Sequence, residues 1–176
     1  MVAFNLDEFK SNFEGGAKQY LFYIKPNIPG GVITMEKSTY LVMTSQLPGR
    51  NIEEVIAPWQ GMDYKYAGKS TWDAWECTFR VDRLAKIRTA FEKWSNQIHD
   101  PVTNIRTLPA AYVADQYAQL LDENGSPIVT YKLIDAWPSA MTAIDLDYAG
   151  TEGAQFSITF TYQYYTMEEG GNTAGL

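Results

Sequence analysis

The sequence predicts a mainly β protein: an antiparallel β-sandwich or barrel with one flanking α-helix, a long inter-strand loop and terminal arms. Three observations carry this expectation. Aromatic residues make up 14% of the 176 residues, with twelve Tyr and five Trp, and such side chains favour pleated, half-buried surfaces. Two runs, WDAWECTFRVD from Trp72 and QFSITFTYQYY from Gln155, alternate along the chain with the period of a strand. Only one stretch, RLAKIRTAFEKWSNQIHD from Arg83, has the spacing of a long amphipathic helix.

In the first run Asp73, Trp75, Cys77, Phe79 and Val81 share one face, and Trp72, Ala74, Glu76, Thr78 and Arg80 share the other. Asp82 is then placed as N-cap of a helix over 83–99, with Leu84, Ile87, Phe91, Trp94 and Ile98 on one stripe and Arg83, Lys86, Glu92, Lys93 and Asn96 opposite. Asp100-Pro101 stops it, because the residue before a proline is pushed out of the α region.

The other elements follow in order. Residues 1–17 form an N-terminal arm, with Phe4, Leu6, Phe9 and Phe13 as an apolar edge and Gly15-Gly16 as a stop. Strands are expected over Lys18–Pro26 and Thr39–Gln46. Leu47–Ser70 is punctuated by Pro48-Gly49, Pro58, Gly61 and Gly68, so it reads as a long loop. Its Ile52, Val55, Ile56 and Trp59 have helical spacing over too short a span for a free-standing helix, and Met62–Ala67 could add a short strand. A loop this long and this apolar is expected to dock on something, such as another subunit. Beyond the helix, Tyr112–Leu121 and Ile128–Trp137 read as a hairpin turned at Asn124-Gly125, with Pro138 ending the second strand. Ala143–Tyr148 is a further short strand, and Gln155–Tyr165 the last one. That last strand places Phe156, Ile158, Phe160, Tyr162 and Tyr164 on one face and Gln155, Ser157, Thr159, Thr161 and Gln163, all uncharged, on the other. Residues 166–176 form a tail that is flexible by composition.

One domain accommodates this length. The net charge of −7 argues against an exterior that grips a nucleic-acid backbone. One cysteine, Cys77, excludes an internal disulfide, sits inward on its strand, and reads as a small core hydrophobe in a reducing compartment. Charges interrupt the N-terminal run where a secretory leader would be apolar, and no run approaches transmembrane length, so a soluble chain made in a cytoplasm is expected.

Catalytic chemistry is thinly supplied. His99, the only histidine, falls in the last helical turn, where a capping role is simpler than catalysis. One His and one Cys make no zinc set, and no nucleophile–base motif surrounds them. Asp145 and Asp147 share a face and could pair as catalytic carboxylates, but solvated acids are the plainer reading. Glu53-Glu54 and Glu168-Glu169 read as loop and tail charges, and Lys25-Pro26-Asn27 with Gly30-Gly31 lacks phosphate-loop spacing. Arg80, Arg83, Lys86 and Arg88 gather at the strand–helix junction, either as a solvated face or as a dock for an acidic partner. No enzyme is expected, and no cofactor or metal.

Taken together, SNFEGGAKQYLFYIKP, SQLPGRNIEEVIAPWQGMDYKYAGKSTW, WECTFRVDRLAKIRTAFEKWSNQIHDP and ITFTYQYY resemble, in order and over nearly the whole chain, the tail tube proteins of contractile-tailed bacteriophages of the T4-like type. The resemblance implies hexameric rings that stack into a tube, with strands of six subunits closing an inner β-barrel. It implies that the 47–70 loop and the arms meet the neighbouring ring, through Phe4, Phe9, Phe13, Leu47, Pro48, Gly49, Arg50, Ile52, Val55, Ile56 and Trp59. The outer face would meet the sheath, with Arg83, Lys86 and Lys93 as candidates, and Asp145 and Asp147 are candidates to line the lumen. The implied partners are further copies of the chain, the tail sheath protein, the tape-measure protein that fills the lumen, and baseplate and tail-terminator proteins. Genome DNA would pass through without sequence-specific binding, in a virion tail assembled in the host cytoplasm.

An acidic subunit repeated around a ring repels DNA rather than binding it, and barrel closure between subunits removes exposed edge strands. Two alternatives stand beside this reading: the inner tube of a related contractile injection or secretion system, and a small-ligand-binding β-barrel whose aromatics line a pocket.

Overall fold

The structure, a computed structural model, describes residues 6, 10, 13, 16–30 and 33–170. Nine strands lie among them: β1 (Phe22–Lys25), β2 (Val42–Ser45), β3 (Arg50–Trp59), β4 (Met62–Trp72), β5 (Trp75–Arg80), β6 (Ala114–Leu121), β7 (Pro127–Met141), β8 (Gln155–Thr161) and β9 (Tyr164–Glu169). The helices described by their bounds are α1 (Met35–Thr39), α2 (Lys86–Ile98) and α3 (Pro109–Tyr112). All strand pairs are antiparallel, in the order β1-β6-β7-β8-β5-β2, with β9 also on β7 and with β3 and β4 forming a sheet of their own.

The predicted fold class stands, and one bent ribbon organises it. β8 and β9 run beside β7 along its whole length, with Trp137 opposite Thr161 and Ile134 opposite Tyr164. The ribbon bends between these two stretches: Asp135 has a φ of 52°, its N–H donates to Asp115 Oδ1 at 3.1 Å, and Gln163 N–H donates to Ile134 O at 3.1 Å. On one side of the bend the ribbon joins β6 and β1; on the other it joins β5 and β2. A bulge and a left-handed residue at a sheet corner are the usual means of turning a strand from one sheet into another.

This geometry corrects several expectations. The strand expected to stop before Pro138 continues through it to Met141, with Pro138 opposite Phe160 and a register shift just beyond. Pro is tolerated because 137–141 is an edge of its sheet, so no ladder bond needs its missing N–H. The expected strand over Ala143–Tyr148 is a connection, since both edges of β8 are already taken by β7 and β5. The last strand breaks at Tyr162-Gln163, and its continuation carries Thr166–Glu169, which were expected in the flexible tail. The strand over 18–26 shortens to Phe22–Lys25, and 39–46 shortens to Val42–Ser45 behind the short helix α1. Of the expected loop over 47–70, residues 50–70 are β-hairpin and only 47–49 are irregular.

Between the sheets lies an aromatic core. Trp75, Cys77 and Phe79 of β5 and Phe156, Ile158 and Phe160 of β8 are buried on one face, as their alternation predicts. Helix α2 covers that face with Ile87, Ala90, Phe91 and Trp94. Phe91 is the hub, with ring centroids 5.1 Å from Phe79, 6.1 Å from Phe156, 6.0 Å from Phe160 and 6.2 Å from Trp94. Burying each such side chain contributes roughly 1.5–3 kcal/mol. Leu133 and Ala136 of β7, Ala118 of β6 and Ile24 of β1 close the core from the other sheet.

The helix starts later than its sequence pattern predicts. Ala85 N–H donates to Asp82 O at 2.8 Å, making a turn in which Arg83 and Leu84 are exposed rather than helical. Ala85 then takes a left-handed φ of 49° before helix begins at Lys86. Asp82 keeps its capping role from one turn further away, its Oδ1 accepting from Ile87 N–H at 3.0 Å.

Candidate functional site: an assembly interface

The hairpin β3–β4 is the feature that the core does not explain. Trp59 and Met62 face each other across a two-residue turn, Gln60-Gly61, with φ of 46° and 82°. Two successive positive φ values define the hairpin turn whose twist matches its strands. The register places Val55 opposite Tyr66, Ala57 opposite Tyr64 and Trp59 opposite Met62. Opposed residues share a face, so one face of the outer hairpin is wholly apolar and aromatic. The other carries Glu54 opposite Ala67, Ile56 opposite Lys65, and Pro58 opposite Asp63, with Lys65 Nζ 3.0 Å from Glu54 Oε1.

Toward the tip the apolar face is open to solvent, while Val55 and Ala57 are half-buried. Trp59 is 71% exposed, Met62 77% and Tyr64 67%. Tyr64 and Tyr66 stack on each other with centroids 6.0 Å apart. A solitary two-stranded hairpin is marginal in water, and a contiguous exposed apolar face marks a contact surface. The base is held firmly: Trp75 Nε1 donates to Gln46 O at 2.6 Å, Asn51 Nδ2 to Asp73 Oδ1 at 2.9 Å, and Gln46 Nε2 to Ala74 O at 3.2 Å. Gly68 sits across from the register shift after Ile52, where a Cβ would lie 2.6 Å from Val55 Cγ2 and 3.1 Å from Glu53 O.

The residues named from the sequence as assembly contacts divide in three. Pro48 is buried, Gly49 belongs to the hairpin base beside Asp73, and Leu47 and Arg50 are exposed there. Val55 and Trp59 are on the apolar face; Ile56 lies on the opposite one, and Ile52 stands below the bulge opposite Ser70. Phe13 is helical and exposed, whereas Phe4 and Phe9 lie outside the described residues. Sequence reasoning missed Met62, Tyr64 and Tyr66. The signal was there: M-D-Y-K-Y alternates, and a Q-G pair separates it from V-I-A-P-W.

Asp145 and Asp147 are exposed in the 142–154 connection and do not share a strand face; Asp147 Oδ1 accepts from Ala149 N–H at 3.0 Å. Leu146 and Tyr148 beside them are fully open. Lys86 and Lys93 are exposed along α2, and Arg83 lies in the turn before it. The basic cluster at the junction is dispersed: Arg88 is taken up by Glu92, by Thr142 O at 2.6 Å and by the Phe156 ring.

Among the described residues no group of three or more His, Cys, Asp or Glu could hold a metal ion. Cys77 is fully buried and hydrogen-bonded with Ser45 Oγ at 3.1 Å, and burial pushes its thiol well above the ordinary range, the reverse of a nucleophile. His99 Nε2 pairs with Asn104 Oδ1 at 3.0 Å instead of capping helix carbonyls. Asp100 is held below the usual carboxylate range by Thr103 and the Val102 N–H, within the turn that ends the helix region. Lys132, raised by Asp115 at 2.9 Å, braces the bend of the ribbon. The core is filled by aromatic side chains where a ligand-binding barrel would hold its ligand.

A filled β-sandwich that presents an exposed apolar hairpin has the make-up of a structural protein with a contact surface. The family model for phage tail tube proteins matches residues 8–168, and the chain belongs to that family. It is 26% identical to the tail tube protein of Serratia phage KSP90 over 124 residues, 69% of this chain and 70% of that one. Among solved structures, the fold is similar to a chain of the tube-terminating cap of the anti-feeding prophage, with a TM-score of 0.66 and 16% identity over 88% of this chain and 91% of that one. It is also similar to a chain of the sheath–tube complex of an extracellular contractile injection system in its extended state, with a TM-score of 0.55 and 16% identity over 90% and 97%.

Proposed function

We propose that this chain is the repeating subunit of a phage tail tube, in which hexameric rings stack through the β3–β4 hairpin into a hollow conduit for the genome inside a contractile sheath. The observation that supports the reading most is the hairpin's apolar face, of whose six residues Trp59, Met62, Tyr64 and Tyr66 stand exposed among the described residues. A structural role in the virion tail accords with the family.

The partners follow from this placement. The outward side of α2, from Lys86 to Lys93, is proposed to meet the sheath; a sheath–tube complex is among the structures that share the fold. Asp145 and Asp147 are proposed to reach the bore from the connection after β7, where carboxylates repel a passing polyanion. Tape-measure, baseplate and terminator proteins would bind the same tube at its lumen and ends.

Electron microscopy of the purified full chain, with dispersity read by sedimentation, tests the proposal. Six-fold rings or tubes are expected, and a persistent monomer at high concentration overturns it. The neighbouring reading, the tube of an injection particle that carries no genome, predicts the same rings, and particles purified from the producing host would lack DNA.

A further inference from the structure

Identical rings that stack head to tail need two different, complementary patches at opposite ends of the subunit. The hairpin is one. It leaves the β7–β8–β5–β2 sheet where β2 ends and β5 begins, the end marked by the pairing of Trp75 with Phe160. At the opposite end of that sheet, Val42 pairs with Phe79 and Arg80 with Gln155. An open groove of about 540 Å³ lies there, between the segment that leads into β2 and the turn that leads into α2. Its apolar walls are Ile33, Tyr40 and Leu84, with Tyr40 85% and Leu84 65% exposed. Lys37, Arg83 and Lys86 line its edges, and its one acid, Asp82, is occupied by the start of the helix.

We propose that this groove is the receptor for the hairpin tip of a second copy in the next ring. The inference rests on the tube reading and names the surface that completes it. Chemistry matches on both counts. The tip offers Trp59, Met62 and Tyr64 to an aromatic and aliphatic groove, and Asp63 is the one charge between residues 56 and 64. A lone carboxylate among apolar groups suits a groove edged by three cations in an otherwise acidic protein. Because tip and groove are at opposite ends of one sheet, a subunit cannot fill its own groove. Each contact therefore leaves one free tip and one free groove, which is what indefinite stacking requires.

The test uses the full chain with Lys37→Glu and Arg83→Glu together, with and without Asp63→Arg. The reversed groove is expected to leave rings intact and to raise the concentration needed for tubes at least tenfold, and Asp63→Arg in the same chain is expected to restore stacking. In parallel, a Met62→Cys, Leu84→Cys chain treated with a short bismaleimide is expected to give a cross-linked ladder in tubes and none in isolated rings; buried Cys77 stays silent. Wild-type stacking by the reversed groove, or tubes that give no ladder, overturns the inference. If the charge variants do not fold, the ladder decides. Should Trp59→Ala also stack normally, the hairpin reading itself falls; should only the groove variants stack normally, the receptor alone is misassigned.

Discussion

Trp59→Ala separates assembly from folding most sharply. A Trp side chain carries up to about 250 Å², so its 71% exposure leaves roughly 180 Å² of mostly apolar surface for a neighbour to cover. At about 25 cal/mol/Å², full coverage is worth up to ~4 kcal/mol per contact, an aromatic hot spot equivalent to several-hundredfold in affinity. Among the described residues the cross-strand partner of Trp59 is Met62, and such pairs are worth about 0.2–1 kcal/mol. The variant should therefore melt within a few degrees of wild type by circular dichroism. Its tube assembly, followed by sedimentation and electron microscopy across a concentration series, should need at least tenfold more protein. Tubes at the wild-type threshold would refute the assignment of the hairpin face, and a large loss of melting temperature would show that the hairpin belongs to the core.

Two further substitutions examine the subunit. Phe91→Ala removes the ring that touches Phe79, Phe156, Phe160 and Trp94; it should cost about 3–5 kcal/mol, read as a melting temperature lower by ten degrees or so, and a change below 1 kcal/mol would contradict the packing described. Tyr162 is buried at the bend, and among the described residues its hydroxyl has no hydrogen-bond partner. Tyr162→Phe should be neutral or stabilising by up to about 1 kcal/mol at neutral pH. Burial, then Tyr165 and Asp73, push the phenol up to about 12, above the ~10 of an unfolded chain. The neutral hydroxyl is thus favoured by the fold, and its contribution is complete below pH ~10 and lost as pH rises toward 12. The advantage of Phe over Tyr, measured by denaturant melts, should widen over that interval; a constant difference would contradict the shift.

Much of the subunit was legible in the chain. The alternation at Trp75, Cys77, Phe79 and at Phe156, Ile158, Phe160 named two core strands, and the spacing of Ile87, Phe91 and Trp94 named the helix face that covers them. These are local periodicities, and burial on one side enforces them. Where sequence reasoning went astray, a partner distant in the chain had decided the outcome. Pro138 was a stop signal until its place on a sheet edge made it harmless. Ala143–Tyr148 had strand character but found both edges of β8 occupied. The β3–β4 stretch alternates and turns on Gln60-Gly61, yet its glycines and prolines imitated a loop; hydrogen-bonding between its two halves overrode them. That hairpin and the groove across the sheet lie far apart in the sequence, and no periodicity links them. Composition and pattern determined that the chain makes a filled aromatic sandwich. Only the tertiary structure, by sending the hairpin from one end of a sheet and gathering Tyr40, Leu84, Lys37 and Arg83 at the other, gave the subunit two unlike ends.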